Sequence, residues 1–179
     1  MAAVAGRYAR AFAEVVADRQ MPSEKTVQEL TQIAELVGSS HELRNVLSNP
    51  AVEHKQKISL LDAIIKKMGG TKMLRNFVAV LIDHKRVGQI GDIAEQFKRE
   101  MNERMGIAEA RVSSARELTA AEKKSLEQRL AAVTGRIIRA TYNEDAALLG
   151  GAVVRIGSIV YDGSVRGQLE RLKEEIVSA

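Results

Sequence analysis

Apolar residues recur every three or four positions through most of the first hundred residues, which is the spacing of amphipathic α-helices. Turn-forming residues separate these segments, with Gly38-Ser39-Ser40, Asn49-Pro50 and Gly69-Gly70 as the clearest breaks. The connections are short, so the helices are expected to pack side by side as a bundle. The pattern predicts six helices, over Ala2–Arg19, from Pro22 to Val37, around Leu43–Leu47, over Glu53–Met68, over Lys72–Arg86 and over Gln89–Met105.

After residue 105 the pattern changes from helical to mixed. Ile107–Ser114 alternates apolar and polar residues as a half-buried strand does. Thr119 and Glu122 then form a capping box, which predicts a helix that ends at Gly135. Arg136–Tyr142 is rich in branched residues and predicts a second strand.

The stretch Leu148–Arg166 predicts a tight hairpin that leads directly into a last helix. Branched and aromatic residues flank Gly157-Ser158, a two-residue turn with glycine first, as a type II′ turn requires. Ser164 follows the second strand and is suited to cap the helix, because its hydroxyl can accept from a free amide of the first turn. The apolar residues of that helix share one stripe: Val165, Leu169, Leu172 and Ile176.

Together these elements predict an α+β protein of two parts. Residues 1–105 form a six-helix bundle, and residues 106–179 form a small mixed α/β domain with a β-hairpin and a terminal helix. A core of about 70 residues is marginal alone, so the second domain is expected to lean on the bundle or on a partner.

The composition is that of an ordinary globular chain, with 45% hydrophobic and 28% charged residues. Aromatic residues make up only 3%, so the core must be aliphatic. Cysteine is absent, which excludes disulfides and thiolate metal sites. No apolar run approaches the roughly 18 residues of a spanning helix, and the first residues are interpreted as a helix of the mature protein rather than a targeting peptide.

The net charge of +4 raises the alternative of a small basic nucleic-acid-binding adaptor. Residues 1–105 hold 16 Lys and Arg against 13 Asp and Glu, and residues 106–179 hold 11 against 10, which gives +3 and +1. Because both signs are interleaved in both halves, a mixed solvated surface is the better interpretation, and no nucleic acid is expected as a partner.

No catalytic or metal-binding pattern emerges. Ser164 sits at a strand-to-helix turn but lacks the Gly-x-Ser-x-Gly motif, and Gly150-Gly151 precedes a strand without the Gly-Lys-Ser/Thr of a phosphate loop. Carboxylates alternate with basic residues, as on solvated helix faces. The histidines lie in separate predicted helices, without the partners a metal site needs: His41, His54 and His84. The residues therefore favour a binding or scaffold protein without metal, cofactor or small-molecule substrate.

Two helices are apolar over a wider arc than one core contact requires. The first carries Val4, Tyr8, Ala11, Phe12 and Val15. The fifth is comparably apolar, through Phe77, Val78, Val80, Leu81 and Ile82. Side by side they would leave a groove for an amphipathic helix of a partner, although plain core packing explains the same pattern.

Three motifs resemble one family. LLGGAVVRIGSIVYDGSVRGQLERL, near the end of the chain, is similar to the C-terminal signature of the delta subunit of F-type ATP synthases, called the oligomycin-sensitivity-conferring protein in mitochondria. RYARAF near the start and EARVSSARELTAAEK in the middle occur in the matching order, so the resemblance covers the whole chain. Ala146 departs from it, since many members carry proline there, which is expected to loosen the loop before the hairpin.

The resemblance implies a non-catalytic stator subunit on the cytoplasmic face of the bacterial inner membrane, peripheral to it, which ties the catalytic head to the peripheral stalk against rotor torque. In that family a groove between the first and fifth helices holds the N-terminal helix of an alpha subunit, and the C-terminal domain meets the b subunits. The residues implied in the groove are Val4, Arg7, Tyr8, Ala11, Phe12, Val15, Leu74, Phe77, Val78 and Leu81. The matched signature residues, expected to shape the C-terminal domain, are Gly150, Gly151, Gly157, Asp162, Gly163 and Ser164.

Overall fold

The computed structural model describes residues 2–178, so residues 1 and 179 of the two predicted domains lie outside the described residues. The chain is α+β, with the predicted order of elements. The helical part consists of α1 (Ala2–Asp18), α2 (Ser23–Ser39), α3 (His41–Ser48), α4 (His54–Met68), α5 (Lys72–Asp83) and α6 (Ile90–Arg104). The remainder consists of β1 (Ile107–Ser114), α7 (Ala120–Thr134), β2 (Ile137–Glu144), β3 (Ala152–Ile156), β4 (Ile159–Asp162) and α8 (Val165–Ser178).

The chain divides into two compact units between Met101 and Asn102, inside α6, whereas the sequence pattern changes only after Met105. The helical unit has an aliphatic core with phenylalanine at one side. Its largest side chains below 2% exposure include Leu30, Ile33, Leu61, Leu74, Leu81, Ile90, Ile93 and Phe97.

Helix α5 ends three residues before the predicted Arg86, because Lys85 adopts a left-handed conformation with φ of +56°. The amide of Arg86 then donates to Leu81 O at 2.7 Å, and that of Lys85 to Ile82 O at 3.0 Å. This is the Schellman arrangement, which satisfies the last carbonyls of a helix and stops it. Sequence alone does not reveal it here, because the left-handed position is usually glycine.

A buried carboxylate ties α2 to the start of α5. Glu29 is 7% exposed, and its Oε2 accepts from the amide of Thr71 at 3.1 Å and from the Thr71 hydroxyl at 2.8 Å. The same hydroxyl accepts from the amide of Leu74 and so caps α5. Negative charge at a helix N-terminus is favourable, so this contact fixes the position of α5 against α2.

The second unit is a four-stranded sheet in the order β2-β1-β3-β4. Strand β1 pairs in parallel with β2, with α7 as the crossover between them, and β3 and β4 form the predicted antiparallel hairpin. Val112 lies opposite Tyr142 on one side and Val154 on the other, and Leu130 of α7 packs on this face. Side chains of a strand alternate between faces, so α7 covers only one face of the sheet.

The hairpin turn has the predicted geometry. Gly157 has a φ of +59°, and Ser158 is not among the residues of positive φ, which is the pattern of a type II′ turn. The turn before the hairpin, which contains Ala146, is closed by Asp145, whose carboxylate accepts from the amide of Ala147 at 3.0 Å. An Asx turn therefore holds the loop that contains Ala146, which was expected to be loosened by the departure there.

Candidate functional site

Helix α1 buries a narrow face of small residues. Ala5, Ala9, Ala13 and Val16 are each at most 1% exposed, and Phe12 at 3% borders them. With about 100° of rotation per residue, the apolar residues just outside this face form a second strip that is half-buried to exposed. That strip, at spacing i, i+4, i+7 and i+11, consists of Val4, Tyr8, Ala11 and Val15.

Helix α5 has the same division. Leu74, Val78 and Leu81 are completely buried, and Ile82 lies with them in the core. A second strip borders this core face, again at i, i+4, i+7 and i+11. It consists of Met73, Phe77 and Val80 of α5 and of His84, the residue that directly follows the helix, and Val80 is 42% exposed.

Aromatic contacts bring the two strips together. The Phe12 ring stacks on the Phe77 ring with centroids 4.0 Å apart and planes 9° apart. Tyr8 meets His84 edge-on, with centroids 6.2 Å apart. As residue numbers rise along α1 they fall along α5, so the helices are antiparallel and their outer strips face each other. The resulting α1–α5 groove is bordered by Val4, Tyr8, Ala11, Val15, Met73, Phe77, Val80 and His84.

The structure therefore divides the predicted groove residues into two groups. Four of them lie in the core of the bundle, where the core-packing alternative applies: Phe12, Leu74, Val78 and Leu81. Five border the groove: Val4, Tyr8, Ala11, Val15 and Phe77. Arg7 is exposed and lines an open surface depression of about 540 Å³ together with Gly6, Arg10, Ala11 and Glu14.

Sequence reasoning missed Met73 and His84 and did not select Val80 from the apolar run of α5. Met73, Val80 and His84 lie at i, i+7 and i+11, and this spacing, with Phe77 at i+4, was the available signal. It was hidden because Leu74, Val78 and Leu81 form a second, more hydrophobic series in the same helix, and that series fills the core.

The C-terminal unit presents its own apolar surface. Four side chains of α8, at spacing i, i+4, i+7 and i+11, form an exposed stripe, here called the α8 stripe: Val165 at 41%, Leu169 and Leu172 at 54% and Ile176 at 76%. In β4, Ile159 is 56% exposed. Contiguous exposed apolar side chains of this kind mark interaction surfaces.

The signature residues build the corner from which α8 starts. Asp162 Oδ1 accepts from the amide and the hydroxyl of Ser164 at 2.8 and 2.7 Å, and Ser164 Oγ accepts from the amide of Gly167 at 3.0 Å, which confirms the predicted cap. These contacts lower the pKa of Asp162. Gly151 has a φ of +74°, and a Cβ there would overlap the carbonyl oxygen of Gly163. These residues shape the domain.

Two groups whose pKa values are shifted hold α7 in place. Hydrogen bonds from Arg116, and then from Thr119, lower the pKa of Glu122 to about 2, within the predicted capping box. Burial, and then a 2.8 Å hydrogen bond from its hydroxyl to Glu127, raise the pKa of Tyr142 to about 12. Both pKa shifts are explained by contacts that hold α7 in place, so Glu122 and Tyr142 have structural roles.

Within residues 2–178, the structure brings together no group of three or more His, Asp or Glu side chains suited to a metal ion. His54 Nδ1 lies 3.1 Å from Asp83 Oδ1, and His84 belongs to the groove. None of the helices in this range combines the length and the hydropathy that crossing a bilayer takes.

Comparison with known proteins is consistent over the whole chain. Residues 4–176 match the sequence model of the family described as "ATP synthase delta (OSCP) subunit". The chain is 45% identical over 176 residues to the ATP synthase subunit delta of Koribacter versatilis (strain Ellin345), covering 98% of each chain. It is 43% identical to the subunit of the same name from Acidobacterium capsulatum, again covering 98% of each.

The fold also has a solved counterpart. A chain of the mitochondrial ATP synthase hexamer of Toxoplasma gondii superposes with a TM-score of 0.69 and covers 97% of both chains. Its sequence is only 20% identical, so this likeness concerns the fold.

Proposed function

Because the chain belongs to the ATP synthase delta (OSCP) subunit family, we propose that it ties the catalytic head of the synthase to the peripheral stalk through the α1–α5 groove and the α8 stripe. It is a non-catalytic stator subunit of that complex, and ATP synthesis and proton transport are activities of the whole assembly. The alternative of a nucleic-acid-binding adaptor finds no support among the relatives.

The groove is the proposed site for the N-terminal helix of an alpha subunit. The observation that carries this proposal is the pair of facing apolar strips on antiparallel α1 and α5, joined at their base by the stacked rings of Phe12 and Phe77. An amphipathic helix laid between them would bury its apolar face on both sides. Apolar burial contributes about 25 cal/mol per Å² before association costs, whereas exposed ion pairs contribute little. A contact made mainly by apolar burial therefore suits an attachment to the head that must resist the torque of the rotor.

The α8 stripe is the proposed site for the b subunits of the stalk. Its i, i+4, i+7 and i+11 spacing is that of a helix packed along another helix, with apolar residues interdigitating at a shallow crossing angle. Bound at both ends, the subunit would be peripheral to the membrane, on the cytoplasmic face of the bacterial inner membrane.

The head contact is tested by titrating the full-length protein calorimetrically with a synthetic peptide of the N-terminal helix of the alpha subunit from the same organism. Ala11→Lys places a charge on the groove, and Ala17→Lys places the same charge on the exposed opposite side of α1, as a matched control. We expect Ala11→Lys to weaken binding at least about tenfold, or 1.4 kcal/mol, and Ala17→Lys to leave it unchanged, with equal helix content by circular dichroism.

An apolar joint also predicts little response of the affinity to salt. Absence of binding by the unmodified protein, or equal affinity of Ala11→Lys and the unmodified protein, would exclude the groove as the alpha site. Equal losses in both variants would indicate a general effect of charge rather than the groove.

A further inference from the structure

The sheet of the C-terminal unit has an open face opposite α7. Alternation places Glu109 and Arg111 of β1, Arg139 and Thr141 of β2, and Arg155 and Val160 of the hairpin on this face, and all are exposed. The other face carries the core residues packed under α7. The open face therefore combines three arginines on a surface that no function assigned above uses.

Two of these arginines lie opposite each other in the sheet, where their like charges repel. Arg111 and Arg155 are directly opposite each other in the antiparallel β1–β3 ladder. Cβ atoms at such positions are about 4.5–5.5 Å apart, and like charges there destabilise a sheet. Within the described residues, neither guanidinium has a carboxylate at ion-pair distance.

The acids closest in register are already engaged. Glu109, two residues before Arg111 in β1, accepts a hydrogen bond from Asn102 Nδ2 at 3.0 Å. Asp162, at the end of β4, is held by Ser164. The positive charge of Arg111 and Arg155 is thus left for a group outside this unit.

The register places the pair in a row of four side chains across the sheet, in the order Thr141, Arg111, Arg155 and Val160. At about 4.8 Å between strands the row is about 14 Å long, which equals about ten residues of an α-helix. Carboxylates at i and i+4 of a helix are about 5–6 Å apart at Cβ, which matches the spacing of the two arginines. Arginine binds carboxylates through paired hydrogen bonds.

We infer that the open face of the sheet, at Arg111 and Arg155, binds an acidic helix of a partner protein, with one carboxylate on each guanidinium and an apolar side chain of the next turn against Val160. This surface is distinct in chemistry and position from the α1–α5 groove and the α8 stripe. The inference does not depend on the alpha or b contacts proposed above.

The probe is a labelled, side-chain-stapled helical peptide with Glu at i and i+4 and Leu at i+8, compared with a Gln version of the same peptide. Binding to the full-length protein is measured by fluorescence anisotropy. We expect the Glu peptide to bind at least about tenfold more tightly than the Gln peptide, as charge-assisted pairs differ from neutral ones. R111E and R155E should abolish that difference, and R129E, the same charge change on an exposed position of α7, should keep it.

A second readout separates binding from a structural role. Replacing one of two opposed like charges should raise the urea midpoint of the sheet unit, so R155E is expected to be more stable while binding less. A lower midpoint for R155E would show that the arginines stabilise the sheet, and would overturn the inference.

Three other outcomes would also overturn it: equal affinities for the Glu and Gln peptides, an equal loss in R129E, or tighter binding of a single-stranded oligonucleotide that R155E abolishes. Ala11→Lys should leave Glu-peptide binding intact, so failure here and failure of the alpha contact are distinguishable.

Discussion

Replacing Phe12 by alanine tests whether this side chain supports the bundle or is reserved for a partner. The ring is 3% exposed, stacks on Phe77 at 4.0 Å and lies 4.8 Å from the ring of Phe97 at 36°. Removing a buried phenylalanine typically costs about 3–5 kcal/mol, and aromatic pairs add about 0.5–1.5 kcal/mol beyond burial. Since the ring has two such neighbours, the expected loss lies near the upper end, at about 4–5 kcal/mol.

That loss is large against the total, because a unit of this size is stable by about 5–15 kcal/mol. At about 4–8 °C per kcal/mol, the melting temperature of the helical unit should fall by at least about 15 °C. Urea unfolding followed at 222 nm measures the free energy. Hydrogen exchange on the full chain, analysed peptide by peptide, locates the loss, which we expect in residues 2–101 and not in residues 102–178.

Tyr8→Ala is the matched control, since Tyr8 is an aromatic residue one turn away on the groove strip and only partly buried. Its truncation should reduce stability by no more than about 1 kcal/mol. The reasoning would be refuted if Phe12→Ala cost less than about 1.5 kcal/mol, or if the two variants lost the same stability.

Two further predictions concern the C-terminal unit. Gly151→Ala and Gly157→Ala both place a side chain at positive φ, but only at Gly151 does the new Cβ overlap backbone. By urea unfolding, Gly157→Ala should reduce the free energy of unfolding by about 1–2 kcal/mol, and Gly151→Ala should reduce it by clearly more. Equal losses of stability in the two variants would contradict the steric argument. The pKa of Glu122 is about 2 in the folded unit against 4.5 ordinarily, so its stabilising contribution is complete above pH 4.5 and disappears as the pH falls towards 2. Glu122→Gln should remove that part of the pH dependence of unfolding, and a profile unchanged by the substitution would contradict it.

The features that sequence predicted well are set by neighbours in the chain. The capping box at Thr119, the Ser164 cap and the Gly157 turn each depend on a few consecutive residues whose side chains or backbone preferences select one geometry. Element order and the two-part α+β architecture follow from periodicity over longer stretches, which is equally local.

Packing choices were harder to predict, as α1 shows. The sequence gives prominence to large residues such as Tyr8 and Val15, yet the buried face is made of Ala5, Ala9 and Ala13. Alanine contributes little to a hydrophobic pattern, but its small size lets a helix approach its neighbours closely. In α3, likewise, Leu47 is buried whereas its apolar neighbour Val46 is 36% exposed. Which of two adjacent apolar strips is buried depends on the neighbouring helices and not on the strip.

That Arg111 and Arg155 lie opposite each other could not be predicted from the sequence, for a different reason. The residues are far apart in sequence, and their juxtaposition depends on the register between β1 and β3. A shift of one residue in that register would place Arg155 on the opposite face of the sheet. Local pattern predicts that these strands exist, but only the sheet determines which charges meet.

The exposure of the α8 stripe has a consequence for the life of the protein in the cell. Leu169, Leu172 and Ile176 leave more than half of their surface in water. Quality-control chaperones and proteases recognise such uncovered aliphatic side chains. Stability differences of about 1–2 kcal/mol can change the abundance of a protein in the cell several-fold. A copy whose stripe is covered would be spared and a surplus copy would not, so the same side chains would match the amount of this subunit to the number of complexes that receive it.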